Sequence, residues 1–230
     1  MSRTPTSSQP DSRRSAPDDV RLAEMKRRRR HGLIALILSD LRSYVYHVHW
    51  HRVSQYPAWR RPLVVLGVVL RFDTLWAVWA FRWKRFFLDW HVPLVPRVID
   101  RFMAVAYQVQ IGDHVFVGPG LYLPHGFVVI DGIVEIGANC VLSTWVTLGL
   151  RSSSTDGFSF MGPQVGDGLW VGTHSALIGD IRIGNHVSVG AHSMVIHDLP
   201  PLCTAAGAPA RVIHRVKDGV VERVDPPSRN

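Results

Sequence analysis

Hydrophobic residues change their spacing once along this chain. Between residues 32 and 108 they recur at helical intervals. Leu33, Ile37 and Leu41 lie four apart, and Val95, Ile99, Phe102 and Ala106 follow nearly the same step, with Arg97, Asp100 and Arg101 on the other face. Pro57, Pro62, Pro93 and Pro96 fall where helices should start or stop. From residue 109 the helical step is gone. Aliphatic residues followed by a small or turn residue now come every six positions: Ile111-Gly112, Val117-Gly118 and Leu123-Pro124, then Ile136-Gly137 and Leu142-Ser143. After a longer loop they run as Val165, Val171, Leu177, Ile183, Val189 and Val195. Four residues into those last steps stand Leu169, Ser175, Ile181, Val187, Ser193 and Leu199, apolar or small each time.

Eleven such hexads predict a parallel β-solenoid. Each hexad supplies one short strand and one turn, and three hexads close a triangular coil, so the chain should make between three and four coils stacked about 4.8 Å apart. A solenoid leaves strand edges open at both ends and needs caps. The pattern therefore divides the chain into a basic, disordered tail at 1–31, a helical region at 32–108, the solenoid at 109–200, and a cap and tail at 201–230. The helices are expected to close the first coil.

Composition adjusts this picture in three places. Apolar residues make up 47 % of the 230 and charged residues 19 %, which excludes disorder throughout. The net charge of +8 belongs to the N-terminal half: residues 1–31 carry +5, residues 32–108 carry +6, and residues 109–230 carry −3. No nucleic-acid-binding motif accompanies the run Lys26-Arg27-Arg28-Arg29-Arg30, so it reads as a solvated tail and no nucleic-acid partner is expected. Cys140 and Cys203 stand far apart, which excludes a disulfide framework and a thiolate zinc site and fits a reducing, cytoplasmic setting. No signal-peptide order is present at the N-terminus. The apolar run Leu63 to Phe81 carries Arg71 and Asp73 near its centre, each costing about 2.5–3.5 kcal/mol in a bilayer. It reads as a buried or interfacial helix. Trp59, Trp76, Trp79, Trp83 and Trp90 among arginines suit a weak contact with the inner membrane surface, and suit packing between subunits equally.

The hexads, Val146-Thr147-Leu148-Gly149, and the terminal Ala205-Ala206-Gly207-Ala208-Pro209-Ala210-Arg211 resemble the hexapeptide-repeat acyltransferases. Within them the chain is similar to the serine acetyltransferases and to the colanic-acid and exopolysaccharide type O-acetyltransferases, over roughly residues 36–215. The resemblance implies a left-handed parallel β-helix, a homotrimer, and acetyl-CoA bound in the groove between neighbouring prisms. It also implies a general base at Leu123-Pro124-His125-Gly126-Phe127. A neutral histidine removes a hydroxyl proton near pH 7, so His125 is the candidate catalytic residue, against the plain alternative of a turn histidine. Gly149, Thr173 and Ala191 match the positions that let CoA approach the backbone, and Ala206 with Arg211 lies toward its nucleotide end. His174 and His192, eighteen apart like Thr173 and Ala191, are either CoA contacts or corner residues. No metal is implied.

Departures from the serine acetyltransferase pattern weaken serine as acceptor. The carboxylate that orients the histidine, fifteen residues earlier, is Gln110 here, and a glutamine cannot stabilise an imidazolium. Asp113, Asp131 or a main-chain carbonyl could take its place. The aspartate before the histidine is Pro124, and the Arg-His-Pro loop that grips the serine carboxylate is Met161-Gly162-Pro163. The intervening loop, Leu150 to Gly162, offers Ser, Thr, Asp and two Phe, which suit a sugar. The expectation is thus O-acetylation of a sugar or polysaccharide precursor, with serine acetylation as the alternative and a non-catalytic trimeric scaffold as the second. A zinc-bound carbonic-anhydrase site of the same fold is disfavoured: beside His192 and His197 its third ligand would be Asp156, inside the loop.

Overall fold

A computed structural model of the chain describes residue 20 and residues 22–25, 31–49, 56–153, 157–158, 160–217 and 219–224. Among the described residues a helical segment at 22–25 is followed by α1 (Leu33–His49), then after a short 3-10 turn (Ala58–Arg60) α2 (Arg61–Arg71), α3 (Asp73–Asp89) and α4 (Val95–Tyr107). Pro62 and Pro96 sit in the first turns of α2 and α4, where a missing N–H costs nothing. Extended backbone at Phe72 (φ −100°, ψ 98°) breaks the apolar run, and α3 departs at 81° to α2. No described helix is long and apolar enough to cross a membrane.

Among the described residues seventeen strands follow. The first eight are β1 (Val109–Ile111), β2 (Val115–Val117), β3 (Val128–Ile130), β4 (Ile133–Ile136), β5 (Val141–Leu142), β6 (Thr147–Gly149), β7 (Ser152–Ser153) and β8 (Gly157–Phe158). Then come β9 (Met161–Val165), β10 (Trp170–Val171), β11 (Ala176–Ile178), β12 (Arg182–Ile183), β13 (Ser188–Val189) and β14 (Met194–Val195). The last three are β15 (Cys203–Ala206), β16 (Arg211–Lys217) and β17 (Val220–Arg223). They build three parallel faces of a prism: β1-β3-β6-β11-β14, β2-β4-β9-β12, and β5-β10-β13-β15, to which Tyr122 adds a bridge at Val141. The first face holds five strands, so the prism has more turns than the spacing predicts.

The difference has a local cause. Tyr122 pairs with Val141, nineteen residues on, whereas Val129 pairs with Thr147, eighteen on. One extra residue therefore sits in the turn that carries His125, and it moves the next inward residue from the expected phase to Ile130. Ile130 and Leu148, both buried, join the eleven aliphatic positions read from the spacing. At the second interruption Thr147 pairs with Ala176, twenty-nine residues on, so eleven residues exceed the eighteen of a coil. They form the β7–β8 antiparallel hairpin of the Leu150–Gly162 loop, whose residues 154–156 and 159 lie outside the described residues.

Ala77, Val78, Phe81 and Met103 share one hydrophobic cluster with Val109, Ile111 and Val115, so α3 and α4 cover the first coil. This demand rotates α4 relative to its sequence pattern. Pro96 and Met103 are buried, while Phe102 and Ala106, assigned by spacing to the inner face, are exposed. Two buried cations pin the helices. Arg82 holds Asp40 through both carboxylate oxygens at 2.9 Å and donates at 2.7 Å to the carbonyls of Val117 and Gly118. Asp40 in turn accepts from the N–H groups of Gly120 and Leu121. Lys84 Nζ meets Asp100 at 2.6 Å, Asp113 at 2.8 Å and the Ile111 carbonyl at 2.7 Å. At the other end the third face turns antiparallel, with β15 pairing β16 and β16 pairing β17.

Most of the expected tail lies outside the described residues. The described part departs from disorder: residues 22–25 are helical, and Met25 is buried in a cluster with Phe116, Ile133 and Met161. Two apolar side chains, Leu22 and Met25, suffice to seat a polar segment on a face whose outer surface is itself apolar.

Candidate functional site

The turn from the third face to the first carries the chemistry-bearing residues, and the helices set its position. Tyr44 donates to the Leu123 carbonyl at 3.1 Å and accepts from the Leu123 N–H at 3.3 Å, while Thr74 donates to the same carbonyl at 2.7 Å. Burial pushes the Tyr44 hydroxyl well above the ordinary phenol range, so it remains a donor. Two residues later His125 stands exposed on the enlarged turn. Gly126 follows because α4 ends directly behind it: a Cβ at Gly126 would fall on the Tyr107 carbonyl oxygen. Gly126→Ala is expected to lower stability by about 1–3 kcal/mol through overpacking. An unchanged denaturation midpoint would mean that the end of α4 yields freely.

Successive coils stack their turns beneath His125. Thr144 donates to the Gly126 carbonyl at 3.0 Å, and Thr173 donates to the Thr144 carbonyl at 2.8 Å. Ala191 lies one coil further, and Ala206 ends β15 beyond it, paired with Arg211. The structure thus brings His125, Thr173, Ala191, Ala206 and Arg211 to one edge of the prism. Gly149 is not among them; it ends β6, at the opposite edge of the first face. Its Cβ position would meet only Ile178, so space for a close approach exists there too.

Spacing set His174 and His192 at one corner but missed the ladder of rings they belong to. Phe127, Trp145, His174 and His192 occupy equivalent corner positions, each with left-handed backbone (φ 55° to 62°). Their rings form one ladder. Phe127 and Trp145 stack at 4.3 Å, Trp145 and His174 at 5.7 Å, and His174 and His192 at 4.9 Å. Stacking offsets part of the cost, about 1–2 kcal/mol per residue, of holding side chains in that conformation. The Thr173 hydroxyl spends its hydrogen on Thr144, so the 3.0 Å contact with His174 Nδ1 requires the ring nitrogen to donate. The eighteen-residue step from Phe127 to Trp145 was the available signal.

Neither Gln110, which stands where the carboxylate is missing, nor Asp113 or Asp131, the two acids that could replace it, reaches His125. Gln110 faces outward from β1, opposite Val129. Asp113 is held by Lys84, and Asp131 accepts from the Gly132 N–H at 2.8 Å. All three line a cleft of about 690 Å³ with Lys84, Arg97 and Arg101. Partial burial raises the Asp113 carboxyl, but the Lys84 hydrogen bond and the charges of Lys84, Arg97 and His114 outweigh it and hold the group below its usual value. Among the described residues His125 has no side-chain hydrogen bond.

No protein-family profile matches the sequence. Individual relatives do. A serine acetyltransferase from Synechococcus elongatus is 32 % identical over 162 residues, covering 70 % of this chain and 64 % of the relative. One from Bacillus pumilus is 30 % identical over 149 residues, covering 64 % of this chain and 67 % of the relative. Soybean serine acetyltransferase apoenzyme superposes with a TM-score of 0.66 at 26 % identity, covering 79 % of this chain and 69 % of that one. The chain spans less than two thirds of the length of the Synechococcus elongatus relative. The prism is the left-handed parallel β-helix of those structures, and with it the chain belongs to the hexapeptide-repeat acyltransferases, in the serine acetyltransferase family.

Proposed function

We propose that this chain transfers an acetyl group from acetyl-CoA to the hydroxyl of serine, working as a homotrimer. The observation that carries the reading is the shared edge: an exposed His125, seated on a helix-clamped turn, heads a column of small residues at Thr173, Ala191 and Ala206. The sequence likeness to serine acetyltransferases supports the acceptor. In the proposed step the hydroxyl oxygen attacks the thioester carbonyl while a ring nitrogen of His125 takes its proton. The C–S bond then breaks, and the departing CoA sulfur takes that proton back from His125. No metal and no covalent enzyme intermediate is needed. Pantetheine runs along the Thr173–Ala191 edge, with Arg211 near the phosphates.

The placement of the hairpin suits a trimer. The β7–β8 hairpin leaves the prism at the edge of the first face away from His125. A groove between two prisms would bring one protomer's hairpin to the next protomer's His125. Light scattering is expected to give three times the chain mass.

A sugar hydroxyl is the second reading, and specific residues favour it. Met161-Gly162-Pro163 supplies no arginine to grip an amino-acid carboxylate, and Gln110 and Pro124 stand where serine acetyltransferases carry acids. The deciding experiment is free-thiol release from acetyl-CoA by the purified chain, with L-serine, sugars and nucleotide sugars as separate acceptors. Turnover with serine alone supports the first reading. Turnover with a sugar alone replaces it by the second, and no turnover with any acceptor overturns both.

A further inference from the structure

α2 is apolar almost all round, as a core helix would be, yet it is not in the core. Between Arg61 and Arg71 its side chains are Pro, Leu and Val with one Gly. Of these only Val68 is buried, while Leu63, Leu66 and Leu70 are 59 %, 51 % and 74 % exposed. These three leucines recur at i, i+3 and i+7 and so form one outward stripe. The patch extends at both ends through indoles. Trp59, 65 % exposed, carries the Arg60 guanidinium 4.7 Å above its ring, and Trp76 of α3 is tied back by its indole N–H to the Val69 carbonyl at 2.9 Å.

We infer that this face docks on an anionic phospholipid bilayer. A helix hydrophobic on its outer side must be covered by something apolar. Charge decides what covers it. Residues 56–73 contain Arg60, Arg61 and Arg71 against one acid, Asp73. An antiparallel self-contact would set Arg60 and Arg61 of each copy against the other copy's Arg71, three arginines a side with only Asp73, already engaged at the Thr74 N–H at 2.8 Å, to relieve them. A membrane surface supplies lipid phosphates to the arginines and acyl chains to the leucines, while Trp59 and Trp76 suit the boundary. The eleven residues of α2 extend only about 16 Å at 1.5 Å per residue, far short of a bilayer core of about 30 Å. The helix therefore lies in the interface plane. This inference is independent of the acetyl-transfer reading.

The test is co-sedimentation of the full chain with vesicles of phosphatidylglycerol and phosphatidylcholine, and with pure phosphatidylcholine vesicles. The variant Leu63→Ser, Leu66→Ser, Leu70→Ser is run beside it, with light scattering of each protein in the absence of lipid. The expected result is binding to the anionic vesicles that weakens in high salt and falls at least about tenfold in the triple variant, whose particle mass is unchanged. Failure of the wild-type chain to sediment overturns the inference, as does equal binding by the folded triple variant. A smaller particle mass in that variant than in the wild-type chain also overturns it and makes the face a contact between copies. If circular dichroism shows the triple variant unfolded, Arg60→Gln with Arg61→Gln takes its place, and undiminished binding to anionic vesicles by that variant is the contrary result.

Discussion

His125→Ala is expected to lower acceptor-dependent thiol release by about 10²–10⁴-fold, the usual contribution of a positioned general base. The loss should fall on kcat, because the ring takes the acceptor's proton as the new bond forms and contributes little to holding CoA. Stability should hardly move. The side chain is exposed and, among the described residues, makes no hydrogen bond that alanine would forfeit, so the change should stay within about 0.5 kcal/mol. Activity measured beside a denaturation curve separates the two effects. Retained turnover in the variant would remove His125 from the reaction and assign the proton transfer to another group, whereas a scaffold role for the prism would gain only if the wild-type chain turned over no acceptor.

Asp40→Ala should have the largest effect on stability, about 3–5 kcal/mol, or roughly 6–20 °C in Tm for a domain of this size. The carboxylate is fully buried and neutralises the guanidinium of an Arg82 that is almost as deep. Its removal leaves a buried cation facing only the Val117 and Gly118 carbonyls, and strips the Gly120 and Leu121 N–H groups of their acceptor. Arg82→Met added to Asp40→Leu should recover much of the loss, since it removes the uncompensated charge. A loss below about 1 kcal/mol in the single variant would mean that water reaches Arg82 when its partner is gone. Because the same pair seats α1 and α3 on the first coil, activity should fall with stability. The Tyr44 and Thr74 hydroxyls, which hold Leu123, ride on those helices.

The repeat was legible in the chain because it is local. A strand that alternates inward and outward every two residues, and turns every six, writes its period directly into the order of Ile, Val and Leu. Its family likeness was legible for the same reason: Pro124-His125-Gly126 and the Ala-Gly-Ala-Pro-Ala-Arg ending are contiguous. Contacts between distant residues left no such trace. The added residue in the His125 turn shows itself only when Tyr122 is paired with Val141 and Val129 with Thr147. Phe127, Trp145, His174 and His192 become one ladder only after four coils are stacked. Asp40 and Arg82 are forty-two positions apart, and Asp113 reads as a free acid until Lys84 arrives from a helix. The facing of α4 was decided by the open end of the prism, which needed Met103 over it and turned Phe102 to the outside. Local order specifies which residues point inward along one element. Which elements meet, and therefore which polar groups are partnered when buried, is settled only when the prism and its helices close on each other.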